Sequence, residues 1–184
     1  MARSRRMPTR RRYERKIEHR QWFTTTGFYK TNVSIAATGS VYKVFVDPLR
    51  GDDQTILRTR GIVAVNASAL GSDSMAVLGA IVLPNKTANN ASNAELPNPS
   101  MDQDTTNWFV WHPFTIPATI AYTGAETPAD AVFSLPNELP VDSKAKRIME
   151  TSESVVWLLG FIPSSAVSSK AVSVGYTIRT LVGY

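Results

Sequence analysis

Residues 54–68 read QTILRTRGIVAVNAS. Leu57, Thr59, Gly61, Val63 and Val65 fall on one face of an extended chain, and Ile56, Arg58, Arg60 and Ile62 fall on the other. Successive side chains of a β-strand point to opposite faces, and β-branched residues suit that pleated surface. A helix would need apolar residues every three to four positions, which this stretch lacks. It therefore reads as a strand.

The same reading recurs on both sides. SVYKVFV (40–46) is β-branched and aromatic and stops at Asp47-Pro48; SMAVLGAIVL (74–83) stops at Pro84-Asn85. WFVWHPF (108–114) and TIAYT (119–123) are separated by Pro113 and Pro117, and AVFSL (131–135) is short. KAKRIME (144–150) and SVVWLLGF (154–161) read as a hairpin turning at Thr151, Ser152 and Glu153. KAVSVGYTIRTLVGY (170–184) is a long alternating strand. That gives eight or nine strands, almost no helical periodicity, and 11 Pro and 10 Gly spread through the chain. The expectation is an all-β antiparallel sandwich or barrel. An eight-stranded jelly roll of two Greek keys fits the count, and so do an immunoglobulin-like sandwich and other barrels.

Charge divides the 184 residues differently. Residues 1–20 carry nine Lys/Arg (Arg3, Arg5, Arg6, Arg10, Arg11, Arg12, Arg15, Lys16 and Arg20) against Glu14 and Glu18, a net of +7. The other 164 residues carry eleven Lys/Arg against thirteen Asp/Glu, a net of −2. A near-neutral body with a basic arm is the pattern of a nucleic-acid-binding tail. We place the arm at 1–23 and the body at 24–184. Residues 1–12, with Pro8, are expected to be extended or unordered until bound, and 13–23 (YERKIEHRQWF) allow a short helix or turn. A transit peptide would need an apolar face, but Met7 is the only large aliphatic residue between Met1 and Ile17. No signal peptide is expected, because no apolar run follows the basic start. VVWLLGF (155–161) is too short to span a bilayer. Residues 84–107 are polar and rich in Asn and Pro, and read as a long surface loop.

Catalytic signatures are absent. There is no GxSxG, phosphate-binding loop, HExxH or GxGxxG, so no catalytic residue, metal ligand or cofactor is assigned and no enzyme is expected. The chain has no cysteine and only two histidines, His19 and His112. The carboxylates Asp52, Asp53, Asp102 and Asp104 lie in loops, where solvated acids are the default. Sequons begin at Asn32, Asn66, Asn85 and Asn90, and read as chance in an Asn/Ser-rich chain without a secretion signal.

The arm is thus the main chemical signal. Each Arg or Lys near a phosphate releases condensed counterions, which makes binding salt-dependent and largely blind to sequence. Arginine also offers a planar fork for phosphate and a face for stacking. Tyr13 and Trp22 could stack on unpaired bases, while the competing role for Trp22 and Phe23 is to dock the arm onto the body. Short Arg-rich runs also act as nuclear import signals.

RSRRMPTRRRYERK at the start, TILRTRGIVAV (55–65), KAKRIMETSESVVWLLG (144–160) and YTIRTLVGY (176–184) together resemble the coat proteins of small icosahedral viruses. The T-[IL]-x-R-x-R-G pattern followed by alternating valines is most similar to capsids of circular single-stranded DNA viruses that encode a replication initiator. That resemblance implies a single jelly roll that assembles with its own copies into an icosahedral shell, arms inside. It implies a genomic cargo, single-stranded DNA favoured over RNA, no membrane, and a virion location with a nuclear stage during assembly. About 60 copies would bring roughly 400 arm charges to the interior. Assembly needs apolar surface outside the core, and Trp108, Trp111 and Phe114 are the candidates for subunit contacts or, equally, for core. A non-viral nucleic-acid-binding β-barrel, ribosome-associated or single-strand-binding, is the second reading; it calls for basic residues on the body as well.

Overall fold

The computed structural model describes residues 19–47, 54–67, 70, 75–99, 108–116, 120–121, 132–133, 137–143, 146–162 and 166–184. Eleven strands fall among these: β1 Arg20–Ile35, β2 Ser40–Val46, β3 Thr55–Asn66, β4 Met75–Pro84, β5 Trp108–Thr115, β6 Ile120–Ala121, β7 Val132–Phe133, β8 Asn137–Ser143, β9 Arg147–Ile148, β10 Glu153–Ile162 and β11 Val167–Gly183. One short helix, α1 Asn85–Asn90, and a 3-10 turn at Asn93–Glu95 follow β4. No helix among the described residues is long and apolar enough to cross a membrane.

Two antiparallel sheets form a sandwich, β1-β11-β3-β8 and β2-β10-β4-β5, with β9 added to β3. Their order follows from one long hairpin. β1, β2, β3 and β4 run out along the chain; β5, β8, β10 and β11 return. The pairs nest as β4 with β5, β3 with β8, β2 with β10 and β1 with β11. Rolling that hairpin sends alternate pairs to opposite sheets, which is the jelly roll expected from the strand count. At the first crossing the chain turns through Gly39, whose φ of 89° suits only a residue without a side chain, and its N–H donates to Ala36 O at 2.9 Å.

The core lies between the sheets. Val33, Val65, Val174 and Ile178 from the first sheet meet Leu78, Trp157, Leu159 and Phe161 from the second, all fully buried. Phe45 ties the layers together. It stacks on Trp157 (centroids 5.7 Å apart, planes at 9°) and on Tyr176 of the facing sheet (3.9 Å, 5°).

Several sequence expectations need correcting. Arg20–Phe23 belong to β1 and not to a helix, because Trp22 and Phe23 pair with Leu181 and Thr180 of β11 in continuity with the β-branched run that follows. Residues 13–18 lie outside the described residues. Ile56 is buried, not on the face of Arg58: a bulge at Leu57, where Leu181 pairs with Arg58 and Val182 with Ile56, turns it inward. The turn before β10 is present, with Glu153 N–H donating to Glu150 O at 3.0 Å. It does not close a hairpin, since β9 pairs with β3 and β10 pairs with β2 and β4. β6 and β7 are two residues each and pair with one another.

The polar stretch after β4 is folded over its described part. α1, the 3-10 turn and Pro99 cover the outer face of the second sheet, where Ala88 and Leu96 pack on Val41, Ile81, Val156 and Leu158. Lys43 Nζ donates to the α1 carbonyls of Ala88 and Asn89 at 3.0 and 3.2 Å, and Ser154 Oγ bonds Asn85 Oδ1. The cover explains why β4 and β10 are apolar on both faces. It also explains Gly79 and Gly160, where a Cβ would lie within about 3 Å of Trp108 or Pro99.

Candidate nucleic-acid interface

β1 takes up the chain at Arg20 and forms one edge of the first sheet, whose inner face is core and whose outer face is uncovered by any other described element. Partners across an antiparallel ladder share a face. One rung of the outer face runs Thr24, Arg179, Arg60, Asp142; the rung nearer the chain's start holds Trp22, Leu181 and Arg58. Three strands thus bring Arg58, Arg60 and Arg179 to the end of the sheet at which the arm joins.

The three arginines are held differently. Arg58 forms a two-pronged pair with Asp142, Nε to Oδ1 at 3.0 Å and Nη2 to Oδ2 at 2.7 Å. The Asp142 hydrogen bond, then its charge, pushes the Arg58 pKa above its ordinary high value. Arg60 and Arg179 turn to Trp22 instead. Their Cζ atoms lie 4.4 and 5.4 Å from the ring centroid, within cation–π range. An open hollow of about 750 Å³ spans this area, lined by Arg58, Arg60, Ile62, Asp142, Thr177 and Arg179. Further along the same face Phe28 is 70% exposed across from Gly175, and Ile62 is 55% exposed. Chemically the face offers guanidinium donors beside aromatic surface, with Asp142 and Glu138 as its described carboxylates.

Of the residues singled out from sequence, Arg3, Arg5, Arg6, Arg10, Arg11, Arg12, Tyr13, Arg15 and Lys16 lie outside the described residues. Arg20 is exposed at the start of β1, opposite Gly183. Trp22 is half-buried, its ring engaged by two guanidiniums, so the docking role fits it better than free base stacking. Trp108 and Phe114 are each 8% exposed and belong to the cores under the cover and between the sheets. They are corrected from contact candidates to core, because β5 presents them to apolar neighbours within the chain. Trp111 is 38% exposed and its Nε1 donates to Pro99 O at 2.6 Å.

Arg58, Arg60 and Arg179 were not among the sequence-derived site residues. The signal was there in the alternation of TILRTRG, which sets Arg58 and Arg60 on one face. What the sequence did not show was that β11 lies beside β3 and adds Arg179.

Fold and face together define a jelly-roll sandwich with a cationic, aromatic sheet surface next to an Arg-rich segment. Among solved structures the chain is similar to infectious bursal disease virus, Gx strain, with 12% identity over 91% of this chain and a TM-score of 0.42. It is also similar to the VP2 subviral particle of that virus, with 10% identity, 91% coverage and a TM-score of 0.41. The chain spans 33% and 37% of those two chains. An empty-head structure of turnip yellow mosaic virus aligns over 100% of this chain and 88% of its own, at 13% identity and a TM-score of 0.31. No protein-family model and no curated protein matches the chain.

Proposed function

We propose that the chain is a viral capsid protein that assembles with its own copies into an icosahedral shell and packages a nucleic-acid genome through its basic arm. The observation that carries this reading is the placement of charge on the fold. A +7 segment runs into the edge strand of a jelly roll whose body is close to neutral, so copies of the body can approach one another while the arms gather a polyanion. The cargo is single-stranded nucleic acid, with DNA favoured over RNA. The protein resides in the virion, and its Arg-rich start also suits nuclear import before assembly. The proposal gives it no catalytic role.

Electron microscopy and light scattering of the purified protein test the shell, with megadalton particles expected. Monomers or dimers, with and without nucleic acid, would refute it. Deleting residues 2–16 should empty the particles of nucleic acid while the body stays folded; packaging at the full-length level would refute the role of the arm. A monomeric single-strand-binding barrel is the second reading, favoured by the Arg60 and Arg179 cluster on the body, and the same sizing decides between the two.

A further inference from the structure

We propose that Arg60 and Arg179 form a phosphodiester-binding site for single-stranded nucleic acid on the outer face of the first sheet. In this site Trp22 positions the two guanidiniums and Phe28 serves as a platform for a nearby base. The proposal rests on the nucleic-acid-binding reading above and deepens it, since it makes the body as well as the arm a cargo contact.

Four observations carry it. Arg60 and Arg179 are direct cross-strand partners, and like charges in that relation repel. The carboxylate that could relieve them is committed elsewhere: Asp142 is the register partner of Arg60, yet both its oxygens bond Arg58. Among the described residues the Arg58–Asp142 pair is the ion pair of this face, and Arg60 and Arg179 have no carboxylate at ion-pair distance. Two facing exposed cations left this way call for an anion from outside. Second, Trp22 gathers both guanidiniums near one ring without offering an oxygen acceptor, so their N–H donors remain for phosphate oxygens. Third, the hollow leaves room beside these groups. Fourth, the aromatic and basic pattern continues along β1. Phe28, 70% exposed, lies four positions past Thr24, roughly 13 Å along the strand, and Lys30 follows on the same face. A strand gripped by the arm reaches this face without leaving β1. In a shell, this sheet face therefore lines the interior.

The test uses the full chain and a fluorescent oligodeoxythymidine titrated at several salt concentrations. Each lost phosphate contact lowers the log–log salt slope by about 0.7 for single strands, so R60Q/R179Q should lower it by about 1.4 and weaken binding about 25-fold near 0.1 M salt. R60K/R179K keeps the charges and should keep the slope. An unchanged slope and affinity in R60Q/R179Q overturns the proposal. Loss of particles with unchanged oligonucleotide affinity also overturns it, and assigns the arginines to carboxylates of a second copy. Photocrosslinking a bromouracil oligonucleotide to the unaltered protein is independent of how the variants fold. Adducts on the peptide holding Trp22 and Phe28 are expected, and adducts confined to residues 1–18 overturn the proposal. Particle sizing is read separately, so the shell can fail while the site stands, and the reverse.

Discussion

Gly160 lies under the cover of the second sheet, and substituting it tests whether that cover is a fixed part of the fold. In Gly160→Val the new Cβ would sit 2.7 Å from Asn98 Oδ1 and 2.8 Å from Pro99 Cγ. Pro99 cannot swing aside freely, because its ring is stiff and its carbonyl accepts from Trp111 Nε1 at 2.6 Å. Two outcomes are sterically open. If Pro99 yields in place, the cost is that of overpacking, about 1–3 kcal/mol. If the segment lifts, the clash is relieved, but Leu96, now 5% exposed, returns to water at about 2 kcal/mol, and the outer faces of Val156 and Leu158 lose cover at roughly 0.5–2 kcal/mol each. The total then reaches roughly 3–6 kcal/mol. Urea unfolding followed by tryptophan fluorescence measures the loss, and limited proteolysis between residues 85 and 99 separates the two outcomes. Pro99→Gly should relieve part of the cost in the double variant, since it removes the Pro99 ring atoms and leaves only Asn98 Oδ1, the end of a side chain that can rotate, against the new Cβ. A loss below about 0.5 kcal/mol for Gly160→Val, or no relief from Pro99→Gly, would refute this account of the cover.

Phe45→Leu keeps an apolar side chain but removes both ring stacks, which predicts a loss of about 1–3 kcal/mol in denaturant unfolding, with Phe45→Ala losing more. Arg58→Gln should leave the unfolding midpoint in denaturant unchanged within error, because both partners of its pair with Asp142 are 45% exposed and water screens them. Glu95 accepts from the Ser92 backbone N–H at 2.8 Å and from its hydroxyl at 2.9 Å, and these bonds hold its pKa below the ordinary Glu value. Its folded pKa is lower than its unfolded one, so its contribution is complete above the unfolded value and fades as pH falls through the folded one. Proteolysis of the 85–99 segment should therefore quicken as the medium is acidified through that range, and Glu95→Gln should flatten the dependence.

Much of the sandwich was legible because most of its long strands announce themselves. SVYKVFV, TILRTRGIVAV and the closing YTIRTLVGY alternate or are β-branched, and all are strands in the structure. β1 was partly hidden, since RQWFTTT follows a stretch of good helix formers and its order comes from pairing with residues far away in sequence. β8 was missed because NELPVDS looks like a loop; Pro140 is tolerated because β8 sits at the edge of the sheet. The cover was missed because Ala88, Leu96 and Pro99 are few and scattered. The apolar runs SMAVLGAIVL and VVWLLGF carried its other half, being too continuous for strands with one wet face. The cationic face was half visible: its β3 arginines follow from alternation, while Arg179 and Trp22 join them only through the nesting of the hairpin.

The pairing of the first long strand with the last has a kinetic side. β1 meets its ladder only after β11 has been synthesised, so sixteen residues of strand wait while residues 36–166 are made, with their backbone groups unmatched. Contacts this distant in sequence make folding slow, and an open edge in the meantime invites wrong partners, including the same strand on a neighbouring nascent chain. The threonine run and Lys30 on this strand are polar enough to keep it solvated during that interval, while Phe28 is its most adhesive point.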